Sequence, residues 1–339
     1  MRPLNTLVAT TLLWLVILAS PSPANAQAIV ADHTCIAQFK SIPAAVVADI
    51  ATNYRFYYAH TSHGSQLVTG MDMLETENPI YVKPYLFEVS DDLGTGGDLS
   101  WEYPMRFHLT DHPEVNVAMI SWCGGVSTNS ETGIDIYLNA FDQMEQDFPS
   151  VTFVYMTGHL DGTGDDGNLR LRNNQIRQFC RDNGKVLFDF ADIESYDPDG
   201  VRYPDGSDAC EWCYDWCAAQ TCPSCGSCAH SHCFNCYQKG KAFWWMMARV
   251  TGWTPGSGDD CCVGRVGDAN MNGVDEPTIG DINALIDHLY IHQIPLPCWD
   301  EADVNFSGDI TISDISILVD YIYIHGPDAV ELPDCPQRD

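Results

Sequence analysis

At 339 residues, 45% of them apolar, the chain is long enough for a main domain plus a smaller module and is far from a disordered composition. Its net charge of −31 argues against nucleic acid and anionic membrane as partners, because phosphate binding needs clustered Lys and Arg. The acidity is uneven: from Pro255 to the C-terminus, 17 acidic residues are set against only Arg265 and Arg338.

Reading from the start, Arg2 precedes an apolar run, Leu7 to Ala19, and then Ala24-Asn25-Ala26. An n-region, h-region and A-x-A site predict a signal peptide over residues 1–26, cleaved after Ala26. The chain is then secreted, or periplasmic or attached at the cell surface, and the mature form is not held in a membrane. Fifteen cysteines in an exported chain point first to disulfides. The odd total leaves at least one thiol free or paired outside the chain.

Helical apolar spacing predicts a helix over Ile42–Thr52, and the aromatic run Tyr54–Thr61 a strand. A helix over Ser65–Glu75 and a Gly- and Asp-rich loop over Asp91–Asp98 follow. Val115–Cys123, Val151–Gly158 and Lys185–Asp192 read as strands. Gly133–Phe148, Asn168–Gly184 and Lys241–Gly252 read as helices. Strands alternating with helices imply a mostly parallel sheet covered on both faces, with ligands bound outside the carboxyl ends of the strands. Those tips are His60-Thr61-Ser62-His63, Ser121-Trp122-Cys123-Gly124-Gly125 and Thr157-Gly158-His159-Leu160-Asp161.

Between the last two of these elements lies a segment with eight cysteines, Cys210 to Cys236. Disulfides suit the compartment and the even number. Zinc suits the repeated C-x-x-C, and thiol exchange is a third reading. Disulfides or zinc would rigidify the stretch carrying His230 and His232. Trp212, Trp216, Trp244 and Trp245 line either a sugar cleft or the core.

Residues 254–263 form a linker by composition, and beyond it the chain repeats. After Asp281 and Asp314 the two halves match at constant offset: Ile282 with Ile315, Leu285 with Leu318, Asp287 with Asp320, Tyr290 with Tyr323, His292 with His325. Each half is an oxygen-rich loop followed by an amphipathic helix. Calcium wants six to eight oxygens, delivered at alternate positions of a tight loop with Gly at the bend. Asp268, Asn270, Asn272, Thr278 and Asp281 answer this in the first loop, with Gly273 at the bend. Asp303, Asn305, Ser307, the Asp309 carbonyl, Thr311 and Asp314 answer it in the second, with Gly308. The duplicated loop ending in Asp, with one helix after it, resembles the dockerin type I module over about Gly264 to Pro327, within a module taken as residues 264–335. That resemblance implies a small all-α calcium-binding module that docks onto a cohesin-type scaffold or cell-surface protein. It also suggests polysaccharide as the setting of the attached domain. The first loop departs from the pattern by two extra residues near Glu276-Pro277.

In the larger domain, residues 27–253, a serine follows the first sheet strand and a Gly tip follows a later one. A Gly-x-x-Asp tip comes next, and histidine precedes the last helix. That order resembles the SGNH (GDSL-like) hydrolase superfamily. The resemblance implies a flavodoxin-like three-layer α/β/α sandwich and ester hydrolysis. Ser62 is then the nucleophile, His232 or His230 the base, and Gly124 N–H an oxyanion donor. Gly158-His159-Leu160-Asp161 stands for the family's Gly-x-Asn-Asp. Leu160 replaces the oxyanion-binding Asn, which leaves His159 as the substitute. Ala229 or Ser227 stands three residues before the base, where the family has Asp, so an orienting carboxylate must come from elsewhere, such as Asp161 or Asp208, unless a backbone carbonyl serves. Two other readings stay open: a non-catalytic carbohydrate- or protein-binding module on the same fold, and a metal-dependent hydrolase using His60, His63, His159, Asp161 and His230 or His232.

Overall fold

The structure is a computed structural model that describes residues 27–254, 261–274, 276–291, 296–307, 310–327 and 329–335. The expected signal peptide, most of the linker, His292, Gly308 and Asp309 lie outside the described residues.

A six-stranded, all-parallel sheet forms the core of the larger domain. Its strands are β1 (Ile29–Ala31), β2 (Arg55–Ala59), β3 (Tyr85–Val89), β4 (Val117–Ile120), β5 (Thr152–Met156) and β6 (Val186–Phe188), in the order β1-β6-β5-β4-β2-β3. The helices between them are α1 (Ala44–Asn53), α2 (Ser65–Glu77), α3 (Glu102–Asp111), α4 (Glu131–Asp147), α5 (Asn168–Asp182), α6 (Phe190–Ser195), α7 (Glu211–Ala219) and α8 (Cys233–Val250). The α/β class and a layered arrangement follow from the alternation. β2, β4 and β5 are buried along almost their whole length, as strands covered on both faces must be. Phe56 pairs with Val117, and Val117 with Thr152.

Some elements escape the sequence pattern. β1 is only three residues long. β3 is an edge strand with Tyr85, Phe87 and Glu88 exposed, so it carries no burial signal. α3 is only weakly amphipathic, with Tyr103 and Phe107 facing solvent. α8 begins eight residues before the expected Lys241, inside the cysteine-rich segment. Trp212, Trp244 and Trp245 are buried and build the interior, whereas Trp216 is half-buried, packs against the same core and lines a surface cavity with Phe234 and Tyr237.

Where α2 crosses α8, two glycines remove the side chains that would hold the helices apart. A Cβ on Gly70 would lie 1.9 Å from the Cys236 carbonyl oxygen, and one on Gly240 would lie 2.5 Å from the Gly70 backbone. α2 follows directly from the β2 tip and α8 follows directly from His230-Ser231-His232. Their close contact therefore sets the distance between the two parts of the candidate site.

A second hydrophobic cluster, sharing no residue with the first, includes Val266, Leu285, Leu296, Val304, Leu318 and Leu332. It is built from α9 (Ile279–Ile286), α10 (Trp299–Ala302) and α11 (Ile312–Val319). Cys261–Cys298 and Cys262–Cys335 disulfides cross-link it. The two repeat helices start alike: Thr278 with Asp281, and Thr311 with Asp314, form capping boxes.

Candidate functional site

The order of strands reverses between β2 and β4: the chain goes from β2 outward to β3 and then returns to β4 on the other side. Such a switch point opens a crevice at the carboxyl ends of the strands. Ser62 and His63 follow β2, Cys123 follows β4, and His159 follows β5, so three adjacent strands deliver their tips to one place.

His230 Nε2 lies 2.9 Å from Ser62 Oγ. Its loop reaches the strand tips because several bonds hold it. Cys225–Cys233 and Cys228–Cys236 disulfides flank it, and Ser231 N–H donates to the Cys228 carbonyl at 3.1 Å. Gln66 Nε2 on α2 donates to the Ala229 carbonyl at 2.6 Å. His230 itself has φ +59°, a left-handed conformation that costs a non-glycine residue about 1–2 kcal/mol and persists only where the surroundings enforce it. His232 goes elsewhere. Its Nδ1 accepts the Phe234 N–H at 3.1 Å at the start of α8, and its ring meets Tyr214 edge-on. Burial holds the His232 ring below its ordinary pKa. Of the two candidate bases, His230 is the one at the serine.

His63 is buried and stacks between two other imidazoles, with ring centroids 3.7 Å from His159 and 4.5 Å from His230. Its Nε2 lies 2.9 Å from Asp208 Oδ2 and its Nδ1 lies 3.1 Å from Cys123 Sγ. Cys123 Sγ is also 3.4 Å from Ser62 Oγ. Burial and the neighbouring His159 and His230 rings lower the pKa of His63 against the pull of Asp208, so the ring favours its neutral form.

The expected oxyanion donors are turned toward each other. Gly124 N–H donates to His159 Nε2 at 3.2 Å, and His159 Nδ1 donates to the Leu160 carbonyl at 2.7 Å. With that tautomer His159 offers no N–H to the crevice. The Ser62 N–H donates to no protein acceptor among the described residues. Asp161 orients no histidine; its carboxylate accepts from the Thr163 N–H and hydroxyl in a local turn. His60 is turned to Glu88, at 2.9 Å, and to the Thr61 carbonyl. His63, Asp208 and His230 each offer one ligand atom within 4.8 Å of the others, and imidazole with carboxylate is a ligand set that suits divalent transition metals. His60, His159 and Asp161, expected in such a group, are outside it.

Beneath the tips a buried ion pair ties the elements together. Lys239 on α8 and Glu194 on α6 are both 0% exposed, with Lys239 Nζ 2.7 Å from Glu194 Oε1. The ammonium also donates to Gln66, which holds the His230 loop. Glu194 Oε2 accepts the Leu160 N–H at 2.8 Å. One charge pair thus connects α2, the β5 tip and the histidine loop.

The eight cysteines of residues 210–236 pair as Cys210–Cys213, Cys217–Cys222, Cys225–Cys233 and Cys228–Cys236. A zinc ion in this segment would need these same sulfurs. Cys35, Cys123 and Cys180 are free, and only Cys123 is open to solvent. Sequence reasoning missed Cys123 and gave Asp208 no definite ring. The odd cysteine count, with one thiol at a strand tip outside the cysteine-rich segment, was the available signal.

In the C-terminal module the two loops fold alike around buried carboxylates. Asp268 accepts from Asn272 N–H at 3.0 Å and Gly273 N–H at 2.8 Å, and Asp281 from Asn270 N–H at 3.1 Å and Thr278 N–H at 2.8 Å. Asp303 accepts from Ser307 N–H at 3.0 Å, and Asp314 from Asn305 Nδ2 at 2.9 Å and Thr311 N–H at 2.8 Å. All four aspartates are buried. The extra residue Glu276 pairs with Arg265 at 2.6 Å and accepts from the Tyr321 hydroxyl at 2.7 Å. The insertion thus points away from the loop's carboxylates.

No model of a known protein family matches this chain, and no curated protein matches it significantly.

Proposed function

We propose that the protein is an exported hydrolase of ester bonds, with Ser62 as nucleophile and His230 as base. The observation that carries this reading is the 2.9 Å contact between His230 Nε2 and Ser62 Oγ at the switch point of the sheet. A hydroxyl becomes a competent nucleophile only when a base is within hydrogen-bond reach. In the step, Ser62 Oγ attacks the carbonyl and its proton passes to His230 Nε2. The oxyanion meets the Ser62 N–H, and the Gly124 N–H where the substrate oxygen displaces the His159 ring nitrogen. The resemblance to SGNH hydrolases and the doubly wound strand order support the assignment. Export rests on the residue 1–26 leader and is supported by six disulfides.

The C-terminal module, on the same reading, is a dockerin-like module. It takes calcium on Asp268, Asn270, Asn272, Thr278 and Asp281 and on Asp303, Asn305, Ser307, Asp309, Thr311 and Asp314, and it docks onto a cohesin-type partner. Four buried carboxylates at the ends of two matching oxygen-rich loops support a cation there, since oxygen ligands at this spacing are what calcium takes. Carbohydrate esters are the substrate class that this tail suggests.

A second reading rests on the His63, Asp208 and His230 group, which could hold a divalent metal for a metal-dependent hydrolase. Turnover of p-nitrophenyl acetate separates the two. Ser62→Ala should lower turnover at least about tenfold, since positioned general bases contribute about 10²–10⁴-fold, while a chelator leaves it unchanged. Loss on chelation, restored by a divalent transition metal, would favour the metal. No turnover in either protein would favour a binding module. In the same full-length chain, calcium at about 1,000 Kd should stabilise the C-terminal transition by about 4 kcal/mol, and no shift would remove the calcium assignment.

A further inference from the structure

The crevice holds a second set of groups that the Ser62–His230 pair does not use. Cys123 Sγ, His63 and Asp208 stand in line: sulfur to Nδ1 at 3.1 Å, Nε2 to carboxylate at 2.9 Å. This is the nucleophile, base and orienter arrangement of acyl-transfer enzymes, and it is more complete than the serine pair. The carboxylate fixes the tautomer. With Nε2–H donating to Asp208, Nδ1 keeps its lone pair toward the sulfur and can accept the thiol proton. Stacking between His159 and His230 holds the ring in plane. Cys123 is partly exposed, unlike the buried free thiols Cys35 and Cys180. All the other cysteines are in disulfides, so a reactive thiol beside an imidazole is not a by-product of the cysteine-rich composition.

We propose that Cys123 is a second acyl-accepting nucleophile in this crevice, activated by His63 and oriented through Asp208, and that it hydrolyses activated esters independently of Ser62. The inference rests on the reading of the crevice as an acyl-transfer site. Cys123 Sγ attacks the ester carbonyl carbon while the thiol proton moves to His63 Nδ1. The tetrahedral intermediate collapses, the carbon–oxygen bond to the alcohol breaks, and His63 returns the proton to the departing alkoxide. A thioester on Cys123 remains. Water then attacks that carbonyl, giving its proton to His63 Nδ1. The carbon–sulfur bond breaks, the acid leaves, and the sulfur regains its proton from the ring. No oxidant or other co-reactant is needed. Ser62 Oγ and Cys123 Sγ are 3.4 Å apart, so one carbonyl bound between them is within reach of either.

The test uses p-nitrophenyl acetate with the full-length chain, quenched and examined by intact-mass and peptide-mapping mass spectrometry. Ser62→Ala should still carry one acetyl group, mapped to Cys123 and removed by neutral hydroxylamine as a thioester is. Adding His63→Ala should slow that acetylation by about 10²–10⁴-fold, the usual contribution of a positioned base. Cys123→Ser, which keeps the shape of the site, together with Ser62→Ala should abolish it. Circular dichroism and thermal melting confirm that each variant is folded. If folded Ser62→Ala leaves Cys123 unlabelled while the wild type is acetylated on Ser62, the inference is overturned and the serine reading stands. If wild type and Ser62→Ala turn over equally and both are labelled on Cys123, the inference holds and the serine reading falls. Equal labelling rates with and without His63 would overturn the inference, since that is the behaviour of an unactivated thiol.

Discussion

Lys239 offers the sharpest test of how the site is held. Its ammonium and the Glu194 carboxylate are 0% exposed and 2.7 Å apart. Burial alone pushes the Lys239 pKa down, and the Glu194 charge opposes it. Replacing Lys239 with Met keeps most of the volume and removes the charge. Glu194 then retains only dipolar partners, the Leu160 N–H at 2.8 Å and Asn235 Nδ2 at 3.3 Å. Breaking one side of a buried pair costs about 3–5 kcal/mol because the other charge is left uncompensated. A domain this size loses about 2–4 °C of melting temperature per kcal/mol, so a drop of roughly 6–20 °C is expected. Pairing Lys239→Met with Glu194→Gln should recover much of the loss, since the carboxylate is then neutral. The assay is urea unfolding followed by tryptophan fluorescence, which reports both midpoint and m-value. Ester turnover measured on the same samples should fall by more than the unfolded fraction explains, because Gln66 loses the ammonium that holds it against the histidine loop and the carboxylate that anchors Leu160 is left without its counter-charge. A Lys239→Met protein within 1 kcal/mol of wild type, at unchanged m, would refute the account of this network.

Two other perturbations read the packing and the pH dependence. Gly70→Ala should destabilise the domain by about 1–3 kcal/mol although alanine is the better helix former, because its methyl group collides with the Cys236 carbonyl; a thermal melt showing stabilisation would remove the close-crossing argument. Burial and the Asp192 charge raise Asp32 to about 6, against the Thr34 hydrogen bond and His33. A folded pKa above the unfolded 3.8 means that the unfolded state binds fewer protons between about pH 4 and 6, so this group lowers stability as pH rises through that window. Asp32→Asn should therefore stabilise the fold at pH 7, by on the order of 1–3 kcal/mol. The gain should vanish below pH 4, and a pH-independent difference would contradict the assignment.

Much of the architecture can be read along the chain because it is local. Alternating apolar strands and amphipathic helices announce an α/β sheet, and strand tips are the places where such sheets bind. The repeat at Asp268–Asp281 and Asp303–Asp314 is a matter of spacing, and the two loops do fold alike. Edge strand β3 is illegible for the opposite reason: exposed on one side of the sheet, it has no burial to encode. The choice between His230 and His232 is also not local. They are two residues apart and chemically identical, and the left-handed turn at His230, held by two disulfides and by Gln66, decides which ring meets Ser62. The line from Asp208 through His63 to Cys123 joins residues separated by 145 and 60 positions. Residue types and secondary structure come from near neighbours and so are written in the chain. Distances between side chains on different loops come from how the sheet closes and how α2 crosses α8, and only the folded chain settles them.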